Sequence, residues 1–481
     1  MNNRALWTVD AMITAMRARA AGPLPTAIGG ISIDSRTITP GDAFFAITGD
    51  SRDGHEFVDV ALAAGAGLAV VSESKLGSLP SNAPLLVVGD VLEALRELAL
   101  AARARSSAQI VAVTGSVGKT GTKEALRLIL AEQAETHASA ASYNNHWGVP
   151  LSLARMPASA RFGVFELGMN HAGELTPLTR LVRPHVAVVT TVEAVHLEHF
   201  HSVEDIADAK AEIFAGLEAA GAAVINRDNP HFARLRQRAE RAGVKRIVSF
   251  GEHADADVRL MKTALKSDCS IVDAQILGEA VTYKIGSPGR HVVLNSLAVL
   301  AAVKLLGGDL AIAALALARL QPPVGRGQRL TLALPNGAAL LIDESYNANP
   351  ASMRAAIALL GQSEVGRSGR RIAVLGDMLE LGQKGPELHR DLLEPIIASD
   401  VDLVFCAGPL IKSLWEALPS ERRGGYAESA SALEPQVLAV VRDGDVLMVK
   451  ASNGSRMGSI VKALTRRFVH HEAVEQAPAE G

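Results

Sequence analysis

The chain has 481 residues, 48% of them hydrophobic and 21% charged, with 42 Gly and 21 Pro; at roughly 100 to 200 residues per domain this favours about three globular domains and excludes disordered and fibrous classes. Forty-eight basic against 51 acidic residues give a net charge of −3, so the chain offers no positive field to nucleic acid or to an anionic membrane. Cys269 and Cys406 stand far apart with no His or Cys at metal-ligand spacing, and the longest apolar runs, 61–71 and 310–317, fall short of the roughly 18 residues of a membrane span; the cytoplasm is expected.

Short apolar runs, each followed by Gly, Asn or Asp and then a stretch of helical periodicity, predict repeated strand–helix units and therefore parallel sheets covered by helices. An Ala/Arg/Ser segment at 101–107 reads as a first boundary, ahead of the strand Ile110–Val113. That strand runs into Thr114-Gly115-Ser116-Val117-Gly118-Lys119-Thr120 and a predicted helix over 121–130. Strand, glycine loop, Lys-Thr and helix in this order form a phosphate cradle, in which backbone N–H groups and the helix N-terminus face an anion, Lys119 adds a point charge and the Thr120 hydroxyl can ligate magnesium. Val113 stands where the general pattern has its first Gly.

Ligands gather at the carboxyl ends of strands in open α/β sheets. The run at 163–165 ends at Glu166, and Val186–Val189 ends in Thr190-Thr191, followed by Glu193, His196, Glu198 and His199. Lys210 is expected early in the next helix. A carboxylate, an imidazole and hydroxyls converging on the phosphate loop suit a hard cation held around ATP phosphates. Further strands are predicted at 222–225, 340–342, 372–375, 403–405 and 446–449, with a second boundary in QPPVGRGQ at 321–328 and a frayed tail in the last ten or so residues. The segment YNANP at 346–350 also reads as Asx turns before a helix starting near Pro350.

Taken in order, TGSVGKTGTKE, YNNHWGVPLSL, ELGMNHAGE, HLEHF, AKAEIF, INRDNP, SPGRHVVLNSLAV, GRGQR, DESYNANPASM and VLGDMLELG resemble the Mur ligases of peptidoglycan synthesis, and the N-terminal DSRTITPGDAFFAITGDSRDGHEF extends the resemblance over most of the chain. The resemblance implies an α/β protein of three domains: a small N-terminal α/β domain for the UDP-sugar over 1–105, a central P-loop ATPase-type domain over 106–325 with a mostly parallel sheet flanked by helices, and a Rossmann-like α/β domain over 326–481 for the incoming dipeptide. Within the family, YNANP and NNHWGVPL (with Asn144 and Asn145) resemble the branch that adds D-alanyl-D-alanine to UDP-MurNAc-tripeptide through an acyl phosphate.

The resemblance further implies ATP on Gly115 to Thr120, one magnesium held by Thr120 and Glu166, and a second held by Glu166, His196 and Lys210, the last as a carbamate. It implies that Asn295 lies near adenine, that Arg326 reaches the ATP phosphates and that Asp343 or Glu344 meets the ribose. Ser35, Arg36, Asp53 and His55 are implied uridine-nucleotide contacts; Asn347, Asn349, Lys450 and Ser452 are implied dipeptide contacts, with Ala451 where relatives often carry Gly. A monomer is expected. The alternatives are another Mur or folylpolyglutamate-type amide ligase, against which YNANP and NNHWGVPL count, and a regulatory P-loop NTPase. A GTPase switch would need an Asn-Lys-x-Asp guanine reader, and Asn226-Arg227-Asp228 has the wrong spacing.

Overall fold

The computed structural model describes residues 5–49, 52–80, 82–140, 143–195, 198–266, 268–335 and 337–468. His196 and the tail beyond 468 lie outside the described residues. Three main sheets fall in succession along the chain. The central one has nine strands in the order 279–285, 270–276, 258–265, 246–251, 222–226, 186–189, 109–114, 162–166, 136–138. Its middle is parallel, and strands such as Val186–Val189 are buried on both faces, as an uninterrupted apolar run requires. Leu126, Ile129 and Leu130 of the helix Lys119–Ala131 and Leu297 and Leu300 of the helix Arg290–Leu305 pack into one apolar cluster on this sheet. At one edge the strands 258–265, 270–276 and 279–285 are antiparallel. Along Ser270–Ile276 every second residue is buried, the alternation of a sheet with one covered face.

The C-terminal sheet runs 328–334, 337–344, 446–450, 371–376, 403–407, 423–427, parallel except for its first strand. The N-terminal sheet runs 19–21, 85–88, 68–72, 43–45, 31–32 and is likewise parallel but for one edge.

The segment expected to separate the first two domains is the last turn of the helix Val91–Ala104. It also ties the two domains together. Arg103 is 6% exposed and donates to Val182 O at 2.9 Å, Arg183 O at 3.0 Å and Glu218 Oε1 at 3.2 Å. The Arg105 guanidinium lies 3.3 Å from the centroid of the Trp7 ring, whose Nε1 donates to Ala154 O at 2.9 Å. Trp7, Leu95, Leu98, Ala108, Val149 and Phe165 belong to a single apolar cluster, so the N-terminal and central domains share a core. By contrast the chain crosses to the C-terminal sheet in the irregular Pro/Gly segment 320–327.

Lys210 corrects one expectation. Ser202 Oγ accepts from Asp205 N–H at 3.1 Å and starts the helix Val203–Ala211 there, which puts Lys210 in the last turn rather than the first.

Candidate active site

The strand Gln109–Thr114 delivers its loop to the N-terminus of the helix Lys119–Ala131. Gly115 takes φ +148°, and a Cβ there would lie 1.9 Å from Thr190 Oγ1, so this bend requires glycine. Thr190 holds the loop in return, its N–H donating to Thr114 O at 3.0 Å and its hydroxyl to Val117 O at 2.6 Å. Ser116 N–H donates to Thr191 O at 2.8 Å, and Ser116 Oγ sits between Glu193 O at 3.1 Å and Glu193 N–H at 2.9 Å. Gly118, Lys119 and Gly121 at the N-terminus of this helix line the cleft, a position that favours an anion. Lys119 Nζ donates to Gly115 O at 2.6 Å. Burial lowers the Lys119 pKa; the Glu166 carboxylate opposes that shift and the Arg326 guanidinium adds to it.

Glu166 ends the adjacent strand, opposite Val113 in the register, and is 1% exposed. Its Oε2 accepts from Thr120 Oγ1 at 2.9 Å and its Oε1 from Asn144 Nδ2 at 2.8 Å. On the other side Val189 pairs with Thr114, and Asn226 and Asn229 fix the turn beyond it by donating to Thr190 O at 3.1 Å and Thr191 Oγ1 at 3.0 Å. Lys210 is 2% exposed, and among the described residues no hydrogen bond or ion pair engages its amine. Burial holds its pKa well below the ordinary lysine value, and the charge of Lys119 adds to the shift. Two residues on, Glu212 accepts from Gly173 N–H at 2.6 Å and from Thr176 N–H and Oγ1 at 3.1 and 3.0 Å. It thereby locks the segment after Glu166 to the one carrying Lys210. Among the described residues no three His, Cys, Asp or Glu side chains cluster at metal-binding spacing. The available donors are a hydroxyl, a carboxylate and an amine.

A cleft of about 740 Å³ separates this loop from the C-terminal domain. Ser116 to Lys119, Asn144, Glu166 and Asn295 line one side, and Arg326, Glu344, Tyr346, Asn347, Asn349, Lys450 and Ser452 the other. Asn295 lies on the phosphate loop, since a Cβ on Gly118 would stand 2.4 Å from its Nδ2. The Arg326 guanidinium lies 4.5 Å from the centroid of the Tyr346 ring. Lys450 Nζ donates to Glu344 Oε2 at 3.2 Å and Asn347 O at 2.9 Å. Asn349 caps the helix Pro350–Gly361 in a reciprocal box with Ser352, so the Asn-rich segment is at once the turn before a helix and a wall of the cleft. Ser452 Oγ accepts from Leu379 N–H at 3.0 Å and donates to Ala348 O at 3.4 Å, joining that segment to the turn after the strand Arg371–Gly376. Of the acidic pair, Glu344 lines the cleft; Asp343 is buried with its Oδ1 accepting from Ser345 N–H at 3.1 Å and Oγ at 2.6 Å.

Other expected contacts lie away from the cleft. Thr114, Gly115 and Thr120 do not line it themselves, although Thr120 bonds to the lining Glu166, and Asn145 Oδ1 accepts from Gly148 N–H at 2.9 Å to start the helix Gly148–Ala154. Ser35 is in a one-turn 3-10 helix, and the exposed Arg36 pairs with Asp34 at 2.6 Å. His55 has both ring nitrogens committed, Nδ1 to Asp53 Oδ1 at 2.6 Å and Nε2 to Ser72 N–H at 2.9 Å. It is a structural residue of the N-terminal domain and offers no ring nitrogen to a nucleotide. Lys75, 2.9 Å from Asp53 Oδ2, holds that carboxyl below its usual range. Glu212, whose partners are distant in the chain, and His291, which lines the cleft, fall within the motifs AKAEIF and SPGRHVVLNSLAV, but neither role shows in the motif itself. Burial lowers the His291 pKa, with Glu344 opposing and Lys450 adding.

A phosphate loop facing, across one cleft, a second α/β domain that supplies an arginine and an amide-rich wall defines an ATP-dependent ligase built from three α/β units. The chain matches the Mur ligase family, catalytic domain over residues 27–103, the Mur ligase middle domain over 113–303 and the Mur ligase, glutamate ligase domain over 325–453. It is 33% identical to the UDP-N-acetylmuramoyl-tripeptide–D-alanyl-D-alanine ligase of Bacillus subtilis (strain 168), with 91% of this chain and 93% of that protein covered. It is also 33% identical to the enzyme of the same name from Escherichia coli (strain K12), with 91% and 94% covered. Among solved structures it is similar to MurF from Acinetobacter baumannii, with TM-score 0.82, 29% identity and coverage of 96% and 99%. A MurF ligase from Thermotoga maritima in complex with ADP gives TM-score 0.74 at 27% identity, covering 91% and 98%. The chain belongs to the Mur ligase family, whose members are ATP-dependent carbon–nitrogen ligases.

Proposed function

We propose that this chain joins D-alanyl-D-alanine to UDP-MurNAc-tripeptide at the expense of ATP, giving ADP, phosphate and UDP-MurNAc-pentapeptide for peptidoglycan, and so serves cell-wall growth, cell shape and division. The observation that carries the reading is the Thr120–Glu166–Asn144 chain beside the phosphate loop, opposite Arg326 and the Asn-rich wall. The names of the relatives at 33% identity over 91% of the chain supply the substrates.

A carboxylate does not condense with an amine at neutral pH because oxide is a poor leaving group. The tripeptide's terminal carboxylate oxygen attacks the γ-phosphorus in line, forming an O–P bond as the bond to ADP breaks. Positioning and charge stabilisation carry most of such a transfer. Lys119 leaves Gly115 O for the phosphates, the helix N–H groups hold them, and Arg326 approaches from the other domain. The dipeptide amine then adds to the acyl carbon, loses a proton, and phosphate departs with the C–O bond. Water would destroy the acyl phosphate, so the C-terminal domain must close over it; the 320–327 crossing is its hinge. Glu198 N–H already donates across the cleft to Glu380 O, at 3.4 Å.

Magnesium, when bound, neutralises charge on the phosphates. Glu166 fits it as an anionic ligand whose carboxylate is already oriented, and Thr120 fits as a hydroxyl ligand. Lys210 fits only after its amine has taken up CO2, and a buried amine with a lowered pKa is the form that reacts so; His196 would complete the set. We assign Asn295 to the adenine side of the loop and Glu344, rather than Asp343, to the ribose. Asn347, Asn349, Lys450 and Ser452 form the wall that faces the dipeptide, and Asn349, Lys450 and Ser452 serve it by the bonds that hold its shape. The N-terminal domain takes the UDP-sugar, with Ser35, Arg36 and Asp53 as its candidate contacts. A monomer in the cytoplasm, where nucleotide-linked precursors and ATP are available, completes the proposal.

The test is phosphate release from ATP with UDP-MurNAc-tripeptide and, in turn, D-alanyl-D-alanine, D-alanine, meso-diaminopimelate and glutamate. Release that depends on the dipeptide is expected; equal stimulation by all four, or by none, overturns the assignment.

A further inference from the structure

Resting on that reading, we propose that Tyr346 is a positioning residue for Arg326, holding the guanidinium by its face so that its N–H donors stay available to the ATP phosphates as the C-terminal domain closes. Two arrangements could keep a cleft arginine in place. A carboxylate would hold it through its N–H groups and then compete with phosphate for them; an aromatic face would hold it and leave the planar fork open. This chain uses the second. The guanidinium lies 4.5 Å from the Tyr346 centroid, and among the described residues no carboxylate pairs with Arg326. The Glu344 carboxylate next in the chain to Ser345 is engaged by Lys450 instead, at 3.2 Å.

The tyrosine is itself tied to the domain crossing. Its N–H donates to Gly325 O at 3.1 Å, and a Cβ on Gly325, which takes φ +73°, would lie 2.8 Å from Tyr346 Cβ. Arg326 N–H donates to Pro323 O at 3.0 Å. Hinge, arginine and ring thus form one unit at the start of the C-terminal domain, carried together when that domain moves toward Lys119. The aromatic ring at the head of the Asn-rich motif has no such duty if that motif only recognises the dipeptide.

The proposal is tested by a double-mutant cycle on dipeptide-dependent phosphate release by the full chain. Tyr346→Leu is expected to lower kcat by roughly tenfold while KM for the dipeptide changes less than about threefold, the size of a desolvated cation–π contact. Tyr346→Phe, which keeps the ring face, is expected to recover most of the loss. In an Arg326→Ala background Tyr346→Leu should cost nothing more, because the tyrosine acts through the arginine. Losses that add in the double variant, or a Phe variant as impaired as Leu, overturn the proposal. Should the wild type show no dipeptide-dependent release, the assigned activity fails, and the same cycle is then read from MgATP affinity by calorimetry: coupling supports the positioning role and additivity refutes it.

Discussion

Replacing Lys210 by methionine separates what the fold needs from what the chemistry needs. The side chain is 2% exposed, in the last turn of its helix, and among the described residues nothing accepts a hydrogen bond from its amine. Leaving a buried polar group unpaired costs about 1–3 kcal/mol. Methionine has a similar length and volume and removes that cost, whereas alanine would leave a void worth about 2–4 kcal/mol of destabilisation. Lys210→Met is therefore expected to stabilise the apo protein by about 1–2 kcal/mol, a rise in Tm of roughly 2–4 °C for each kcal/mol in a unit of 150–250 residues. The same change removes the buried amine proposed to carry the carbamate, so kcat should fall by about a thousandfold or more, on the order of 4 kcal/mol in activation free energy. Thermal unfolding in CO2-depleted buffer and phosphate release on one preparation read both quantities. A variant less stable than wild type by about 1 kcal/mol would mean that the amine stabilises the fold, and turnover near wild type would remove Lys210 from the chemistry.

Arg103→Met should show the opposite pattern. It abandons acceptors at Val182, Arg183 and Glu218 in the shared core, at a cost of about 2–4 kcal/mol, so urea unfolding should shift while KM for ATP at low temperature stays within about twofold. A second expectation concerns pH. His137, hydrogen-bonded to Ser152 O at 2.7 Å, has its pKa pushed down to about 4, mainly by burial. Its folded pKa lies below the unfolded value, so the unfolded chain takes up the proton first and stability falls as pH drops from about 6.5 toward about 4. Between about pH 7.5 and about pH 5 this contributes at most about 2 kcal/mol. His137→Gln should flatten the urea midpoint over that interval; an unchanged slope would show that the ring is protonated in the folded state.

Every strand expected from an apolar run is present, because a strand buried on both faces has no alternation to misread: Val186–Val189 begins and ends where the run does. The antiparallel strands 258–265, 270–276 and 279–285 were not foreseen. Polar residues such as Arg259, Asp273, Gln275, Thr282 and Lys284 interrupt their apolar runs. The phosphate loop and Glu166 were legible since both follow strands directly. The segment at 101–107 was legible as a boundary but not as a tie between domains, because the acceptors of Arg103 at Val182, Arg183 and Glu218 are 79 or more residues away. Asn144 and Glu212 were legible as motif residues but not as the partner of Glu166 and the tie to Gly173 and Thr176, since each of those bonds crosses from one strand-end segment to another. His55 and Asn349 carry a common lesson. Residues in a functional motif can be spent on holding the motif's own turn, and only their bonded partners reveal it.

In the proposed reaction one cleft couples ATP cleavage to formation of a single peptide bond. Mass spectrometry of the nucleotide-sugar product, run beside ADP quantification with UDP-MurNAc-tripeptide, ATP, magnesium and D-alanyl-D-alanine, tests it directly. One dipeptide joined to the tripeptide for each ADP formed is expected, with neither product when Glu166 is replaced by Ala. ADP accumulating without the pentapeptide, or a pentapeptide formed without ADP, would contradict it.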